Sequence, residues 1–206
     1  MLNSQIKRTS CPRCLRPESA CLCRWIVPLP NVVEVLILQH PLEVNNAKGS
    51  ARLLDLCLQD SRMIAGEQFD ESLLQATLYA NDKQPVLLYP ATSLNEAPDL
   101  QYQPVDLVLQ EQLLSDLRLV IIDATWRKSR KMLYLNSRLQ QLPRLSLQDM
   151  PASHYRIRKA HAPDQLSTLE ATAYALMQLE RDEGKYQPLL QAFDGFVGQQ
   201  MGFRPA

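Results

Sequence analysis

The chain has 206 residues, 46% hydrophobic and 21% charged, a balance typical of a globular domain with one sizeable core. Its 22 Lys and Arg match its 22 Asp and Glu, so net charge alone gives no sign of a polyanionic partner. No apolar run approaches the roughly eighteen residues of a membrane span. The N-terminal stretch lacks the hydrophobic segment of a secretory signal, so a cytoplasmic protein is expected.

Four of the five cysteines, Cys11, Cys14, Cys21 and Cys23, form a CxxC followed after six residues by a CxC. In a cytosolic chain this spacing suits a four-thiolate zinc site, closed and therefore structural; the competing reading is a redox pair or free thiols. Arg13, Arg16 and Arg24 beside it would let the knuckle touch phosphate. Pro28-Leu29-Pro30 then reads as a linker, dividing a zinc-binding segment, 1–27, from a main domain, 28–206.

The run Val32 to Leu38 suits a strand buried on both faces. The loop 40–46, which contains His40, leads into a helix near Lys48 to Leu58, with Cys57 as a small core residue. Residues 70–80 read as helix, Val86 to Tyr89 and Val105 to Leu109 as strands. Arg118 to Ile122 is a strand, Lys128 to Leu139 a helix, and Arg144 to Leu147 a short strand. Two helices close the chain, near Ser167 to Glu183 and Gln187 to Met201. Alternating strands and helices imply an α/β domain with a mostly parallel sheet, in which ligands bind beyond the carboxyl ends of the strands.

One such end is Val120-Ile121-Ile122-Asp123-Ala124-Thr125-Trp126-Arg127-Lys128-Ser129-Arg130-Lys131. An acid, an aromatic and four cations follow a buried strand. Residues 124–163 hold nine Lys and Arg against one acid, Asp149, whereas residues 64–123 hold ten acids against Lys83 and Arg118. The neutral total thus hides a basic segment, which is either a solvated face or a phosphate-binding one. Thr125 is placed to cap the following helix. The macrodipole disfavours cations in a helix's first turn, so an anionic ligand or nucleic-acid backbone is the simplest reason for Arg127, Lys128, Arg130 and Lys131. Trp126 read alone is a core anchor, and Asp123 read alone is equally a turn residue.

Asp123-x-Thr125-Trp126 after an apolar strand resembles the signature of the DTW-domain family, aminocarboxypropyltransferases related in fold to the SPOUT methyltransferases. The cysteine knuckle, Leu38-Gln39-His40-Pro41-x-Glu43, Leu88-Tyr89-Pro90, Tyr155-x-x-Arg158-Lys159 and Leu166-Ser167-Thr168-Leu169-Glu170-Ala171 extend the likeness along the chain. It is nearest to short bacterial members that act on tRNA uridine; Ala124 departs from the Gly of many members. The resemblance implies a SPOUT-like sheet with a C-terminal trefoil knot. It also implies transfer of the 3-amino-3-carboxypropyl group of S-adenosylmethionine to N3 of a tRNA uridine in the variable loop, releasing methylthioadenosine.

Within that resemblance Asp123 is the expected base and Trp126 the wall of the pocket or a stacking platform for uracil. Thr125, Trp126, Leu145, Ser146, Leu147, Ser167, Thr168 and Glu170 are expected around the S-adenosylmethionine. Ser167 to Glu170 also reads as a capping box, the reading preferred for Glu170 itself. Arg127, Lys128, Arg130, Lys131, Tyr155, Arg156, Arg158 and Lys159 would hold the tRNA backbone. A monomer without an obligatory protein partner is expected. Two alternatives stand beside this: a SPOUT-type RNA methyltransferase, and a non-catalytic zinc- and RNA-binding module.

Overall fold

The computed structural model describes residues 9–90, 113–147, 151, 153 and 166–203. Among these, five strands form one sheet: β1 (Glu34–Gln39), β2 (Ser61–Ala65), β3 (Gln84–Leu88), β4 (Leu117–Asp123) and β5 (Arg144–Leu145). All neighbours run parallel in the order β2-β1-β4-β3-β5. The longer helices are α1 (Ala51–Cys57), α2 (Glu71–Leu78), α3 (Trp126–Leu135), α4 (Ser137–Gln140), α5 (Thr168–Glu180) and α6 (Glu183–Met201).

The sheet is covered on both faces, which is why β1 and β4 read as continuous apolar runs. Alternation along the strands sends Val35, Ile37, Leu119 and Ile121 into a core with α1, α5 and α6. Leu36, Leu38 and Val120 point the other way, against Leu74 and Leu78 of α2, Met132 and Leu133 of α3, and Leu139. Truncating one of these fully buried leucines to alanine costs about 2–5 kcal/mol.

β2 carries no clear sequence signal and was not expected. It is an edge strand with only partly buried residues, so Ser61–Ala65 shows neither an apolar run nor clean alternation. The single helix expected over 128–139 is two. It starts at Trp126 and breaks at Asn136, whose side chain donates to the Met132 carbonyl (2.6 Å) and the Glu67 carbonyl (3.0 Å) and accepts from Phe69 N (2.9 Å). The strand expected at 105–109 lies outside the described residues.

Residues 28–30 are not a slack tether. Leu29 is buried and bridges to Leu58; its N–H donates to the Cys57 carbonyl (2.8 Å) and its carbonyl accepts from Gln59 N (3.0 Å). Cys14 and Leu22 of the knuckle lie in the same core as α1, α5 and α6.

At the amino ends of the central strands, register partners Glu34 and Arg118 form a buried pair. Arg118 donates Nε to Oε1 (3.0 Å) and Nη2 to Oε2 (2.8 Å), and further to the carbonyls of Leu78 (2.7 Å) and Ala80 (3.0 Å). These are terminal carbonyls of α2 and the turn after it, where a cation also suits the macrodipole. The pair sits at the sheet end opposite Asp123, and its role is structural.

Candidate active site at the carboxyl ends of the strands

Connections leave the adjacent strands β1 and β4 in opposite directions. After β1 the chain passes through α1 to the edge strand β2; after β4 it passes through α3, on the other face, to β5 beyond β3. The gap between β1 and β4 is therefore the switch point at which open parallel sheets bind ligands. Gln39 and Asp123, paired in register, are the last residues of these two strands.

Asp123 is 5% exposed. Its Oδ2 accepts from Gln39 Nε2 (2.9 Å) and its Oδ1 accepts from Thr168 Oγ1 (2.6 Å). Both carboxylate oxygens are thus oriented, one from β1 and one from the first residue of α5. Thr168 spends its only hydroxyl proton on Asp123, so towards any ligand it can act only as an acceptor.

The N-terminus of α5 is built as the sequence suggests. Ser167 Oγ accepts from Glu170 N (3.1 Å), and Glu170 Oε2 accepts from Ser167 N (2.7 Å), a complete capping box. Ser153 Oγ donates to both Glu170 oxygens, at 3.0 and 2.8 Å. Ser50, ahead of α1, accepts from Leu169 N (3.3 Å), which brings the start of α1 to the same place.

Thr125 precedes α3 in extended conformation but makes no capping hydrogen bond through its side chain. Its carbonyl accepts from Ser129 N (2.8 Å), and the helix begins at Trp126, two residues before the expected Lys128. Trp126 is not a core anchor: it is 48% exposed, with its ring edge-on to Tyr89 at 6.0 Å between centroids. Tyr89 in turn carries the Arg144 guanidinium over its ring at 5.4 Å. A packed series therefore runs from Trp126 through Tyr89 to β5. There Leu145 accepts from Tyr89 N (3.1 Å) and is followed by the half-buried Ser146 and Leu147.

The four cations of α3 divide into two kinds. Lys128 pairs with Glu43 (3.2 Å), a buried acid that also accepts from Asn46 Nδ2 (2.7 Å). Lys131 pairs with Glu67 (2.9 Å), whose other oxygen meets His40 Nε2 (3.0 Å). Because His40 Nδ1 accepts from Leu42 N (3.1 Å), its proton sits on Nε2. The Lys131 hydrogen bond, and then that of His40, hold the Glu67 carboxyl below the usual carboxylate range. Protein carboxylates thus answer two charges that the sequence alone assigned to an outside anion. Arg127 and Arg130 are exposed on the same helix. Tyr155, Arg156, Arg158 and Lys159 lie outside the described residues.

In the knuckle the four sulfurs lie within 4.8 Å of one another, with Cys11 and Cys23 at 3.5 Å and Cys14 and Cys21 at 3.7 Å. A tetrahedral zinc with sulfur ligands at about 2.3 Å has S–S edges of about 3.8 Å, so the donor set fits that ion. Backbone N–H groups of Cys14 and Arg13, then the Cys23 thiol, lower Cys11 to about 6. Burial first, then the neighbouring thiols, push Cys23 up to about 12. A metal bound there would favour all four thiolates.

Arg16 is not turned towards phosphate. Its guanidinium donates to the carbonyls of Ala47 and Gly49, both at 2.6 Å, and lies over Phe196. Sequence reading missed Gln39, Ser50, Glu43 and Glu67 as neighbours of the site. Gln39 had a signal, a polar residue closing an apolar strand; the others depend on contacts distant in sequence.

The DTW domain model matches residues 8–201. Two proteins named tRNA-uridine aminocarboxypropyltransferase 2, from Mus musculus and Macaca fascicularis, are 28% and 30% identical over 200 residues. Each alignment covers 95% of this chain and 64% of the relative, so the chain spans a little under two thirds of their length. The Drosophila melanogaster protein of the same name is 29% identical over 180 residues, 84% of this chain and 68% of its own. No solved structure gives a significant match. With the family model covering nearly its whole length, the chain belongs to the DTW-domain family.

Proposed function

We propose that this chain is a tRNA-uridine aminocarboxypropyltransferase that moves the 3-amino-3-carboxypropyl group of S-adenosylmethionine to N3 of a variable-loop uridine. The observation that carries the reading is the carboxylate of Asp123, oriented on both oxygens at the sheet's switch point. The names of the relatives supply the substrate class.

S-adenosylmethionine supplies an electrophilic γ-carbon beside a positive sulfur. Asp123 takes the N3 proton of uracil, and the N3 lone pair then forms the N–C bond at that carbon. The C–S pair returns to sulfur, and methylthioadenosine leaves as a neutral thioether. The uracil imide is a weak nucleophile until deprotonated, which is the work of the base. Alignment of N3 with the γ-carbon, rather than the methyl group, is a matter of positioning.

Trp126 is half-exposed and offers uracil a stacking face. The segment of buried Leu145 and half-buried Ser146 and Leu147, with Thr125, Ser167, Thr168 and Glu170, surrounds the S-adenosylmethionine. Thr168, as an acceptor only, meets its ammonium group, while the Glu170 oxygens are engaged by Ser167 and Ser153. Arg127 and Arg130 contact RNA phosphates, joined by Lys128, Lys131, Tyr155, Arg156, Arg158 and Lys159. Zinc on the four cysteines is structural. The resemblance further supports a SPOUT-like knot and a monomer in the cytoplasm.

Asp123→Asn keeps the shape and removes the base. It should bind S-adenosylmethionine as before and lose about 100- to 10,000-fold in kcat. Near-normal turnover by a folded, cofactor-binding variant would contradict the assignment.

A further inference from the structure

We infer that Gln39 is a positioning residue for Asp123, setting the direction in which its carboxylate faces the acceptor base. The inference rests on the reading of Asp123 as the base. Gln39 ends β1 and is 5% exposed. A buried primary amide is costly unless hydrogen-bonded, and an apolar side chain would fill that place at less cost. What the amide adds is a donor: Nε2 lies 2.9 Å from Asp123 Oδ2.

The support under this contact is rigid. Gly66 N donates to the Gln39 carbonyl (2.9 Å), and His40 N donates to the Asp123 carbonyl (3.0 Å). Both backbones are therefore fixed in the ladder, and the side-chain bond spans two central strands rather than a loop. Thr168 holds the other oxygen from α5. Among the described residues, two donors on two elements orient the two carboxylate oxygens. A Lys or Arg at this place would orient the group too, but its full charge would oppose protonation, the event the base must undergo.

The test uses the full, zinc-replete chain with tRNA and S-adenosylmethionine. Gln39→Leu keeps the volume and removes the donor. It should lower kcat about 10- to 100-fold, with KM for both substrates nearly unchanged. Gln39→Glu is close to isosteric and places a second carboxyl group against the first. Two carboxylates so close share one proton. The acid limb of its kcat profile should then move upward by about one pH unit or more, activity recovering in alkali. That shift tests the 2.9 Å contact with Asp123, whereas the positioning role is read from the fall in kcat at nearly constant KM in Gln39→Leu.

Wild-type kcat in Gln39→Leu, or an unmoved profile in Gln39→Glu, overturns the inference. If Gln39→Leu does not fold, Gln39→Asn decides: it keeps the buried amide but shortens its reach to Asp123, so kcat should fall at nearly constant KM, and a wild-type kcat overturns the inference. Asp123→Asn in the same assay separates the two levels: its near-normal turnover refutes the base, whereas its loss beside a normal Gln39→Leu refutes the positioning role alone.

Discussion

Gly195→Ala tests how the knuckle is held to the main sheet. Gly195 lies in α6 against the face of Trp25, and a Cβ there would sit 2.2, 2.5 and 2.6 Å from Trp25 Cζ3, Cε3 and Cη2. Carbon atoms pack at about 3.5–4.0 Å, so the indole must retreat by roughly an ångström or more. That retreat pulls Trp25 Nε1 from Gln199 Oε1, now at 2.6 Å, a bond contributing about 1 kcal/mol. Overpacking costs about 1–3 kcal/mol more, and the better helix propensity of alanine returns about 1. The net loss is about 1–3 kcal/mol, or a Tm lowered by about 2–12 °C in a chain of this size. Gly198, one turn away, has nothing within 4 Å of its would-be Cβ. Gly198→Ala should therefore stabilise by about 0.5–1 kcal/mol. Thermal unfolding followed by near-ultraviolet circular dichroism, at saturating zinc, reads both. A Gly195→Ala protein at least as stable as wild type would refute the packing of Trp25 on α6.

Three further outcomes follow from the ion pairs and the cysteines. Arg118→Met leaves Glu34 buried with only Lys83, at 4.0 Å, and should cost up to about 3–5 kcal/mol in urea unfolding, while Arg118→Met with Glu34→Leu recovers most of it. Turnover per folded molecule should be unaffected, since the pair lies at the far end of the sheet. Glu67 has a depressed folded pKa, so its pairing stabilises above the ordinary carboxylate pKa and is lost as pH falls through the lowered value. Glu67→Gln should lower Tm slightly at pH 7 and have no effect in strong acid, measured as Tm across pH. Elemental analysis should find one zinc per chain. Removing it with a chelator, or replacing the buried Cys14 by Ser, should lower Tm by more than Gly195→Ala does, because Cys14 shares the core of α1, α5 and α6.

Local composition made some of this legible. β1 and β4 are buried on both faces and announce themselves as apolar runs, and the spacing of the four cysteines matches the placing of their sulfurs. The capping box of α5 is a four-residue pattern and was readable as such. β2 was not, because an edge strand needs no hydrophobic pattern. The carboxylate partners of Lys128 and Lys131, like the side-chain partner of Gln39, were not readable. Their partners, Glu43, Glu67 and Asp123, lie 85, 64 and 84 residues away in sequence and meet them only through the sheet. Trp126 was readable as an aromatic at a strand end, but whether it faced core or solvent depended on Tyr89.

The two ends of the sheet divide the labour. Glu34 and Arg118 lock the amino ends of β1 and β4; Gln39 and Asp123 stand at the carboxyl ends of the same strands. A clamp at one end favours a fixed register, and that register sets Gln39 against Asp123 at the other. Substitutions at the two ends are therefore separate tests, Glu34 and Arg118 of stability, and Gln39 and Asp123 of the proposed chemistry.

The most direct measurement is group transfer from S-adenosylmethionine labelled separately in its methyl and carboxypropyl groups, with purified chain and unmodified tRNA. The account predicts carboxypropyl label on a variable-loop uridine, one methylthioadenosine released per transfer, and both products slowed about 100- to 10,000-fold with Asp123→Asn. Methyl label on the RNA, or carboxypropyl transfer undiminished in Asp123→Asn, would contradict it.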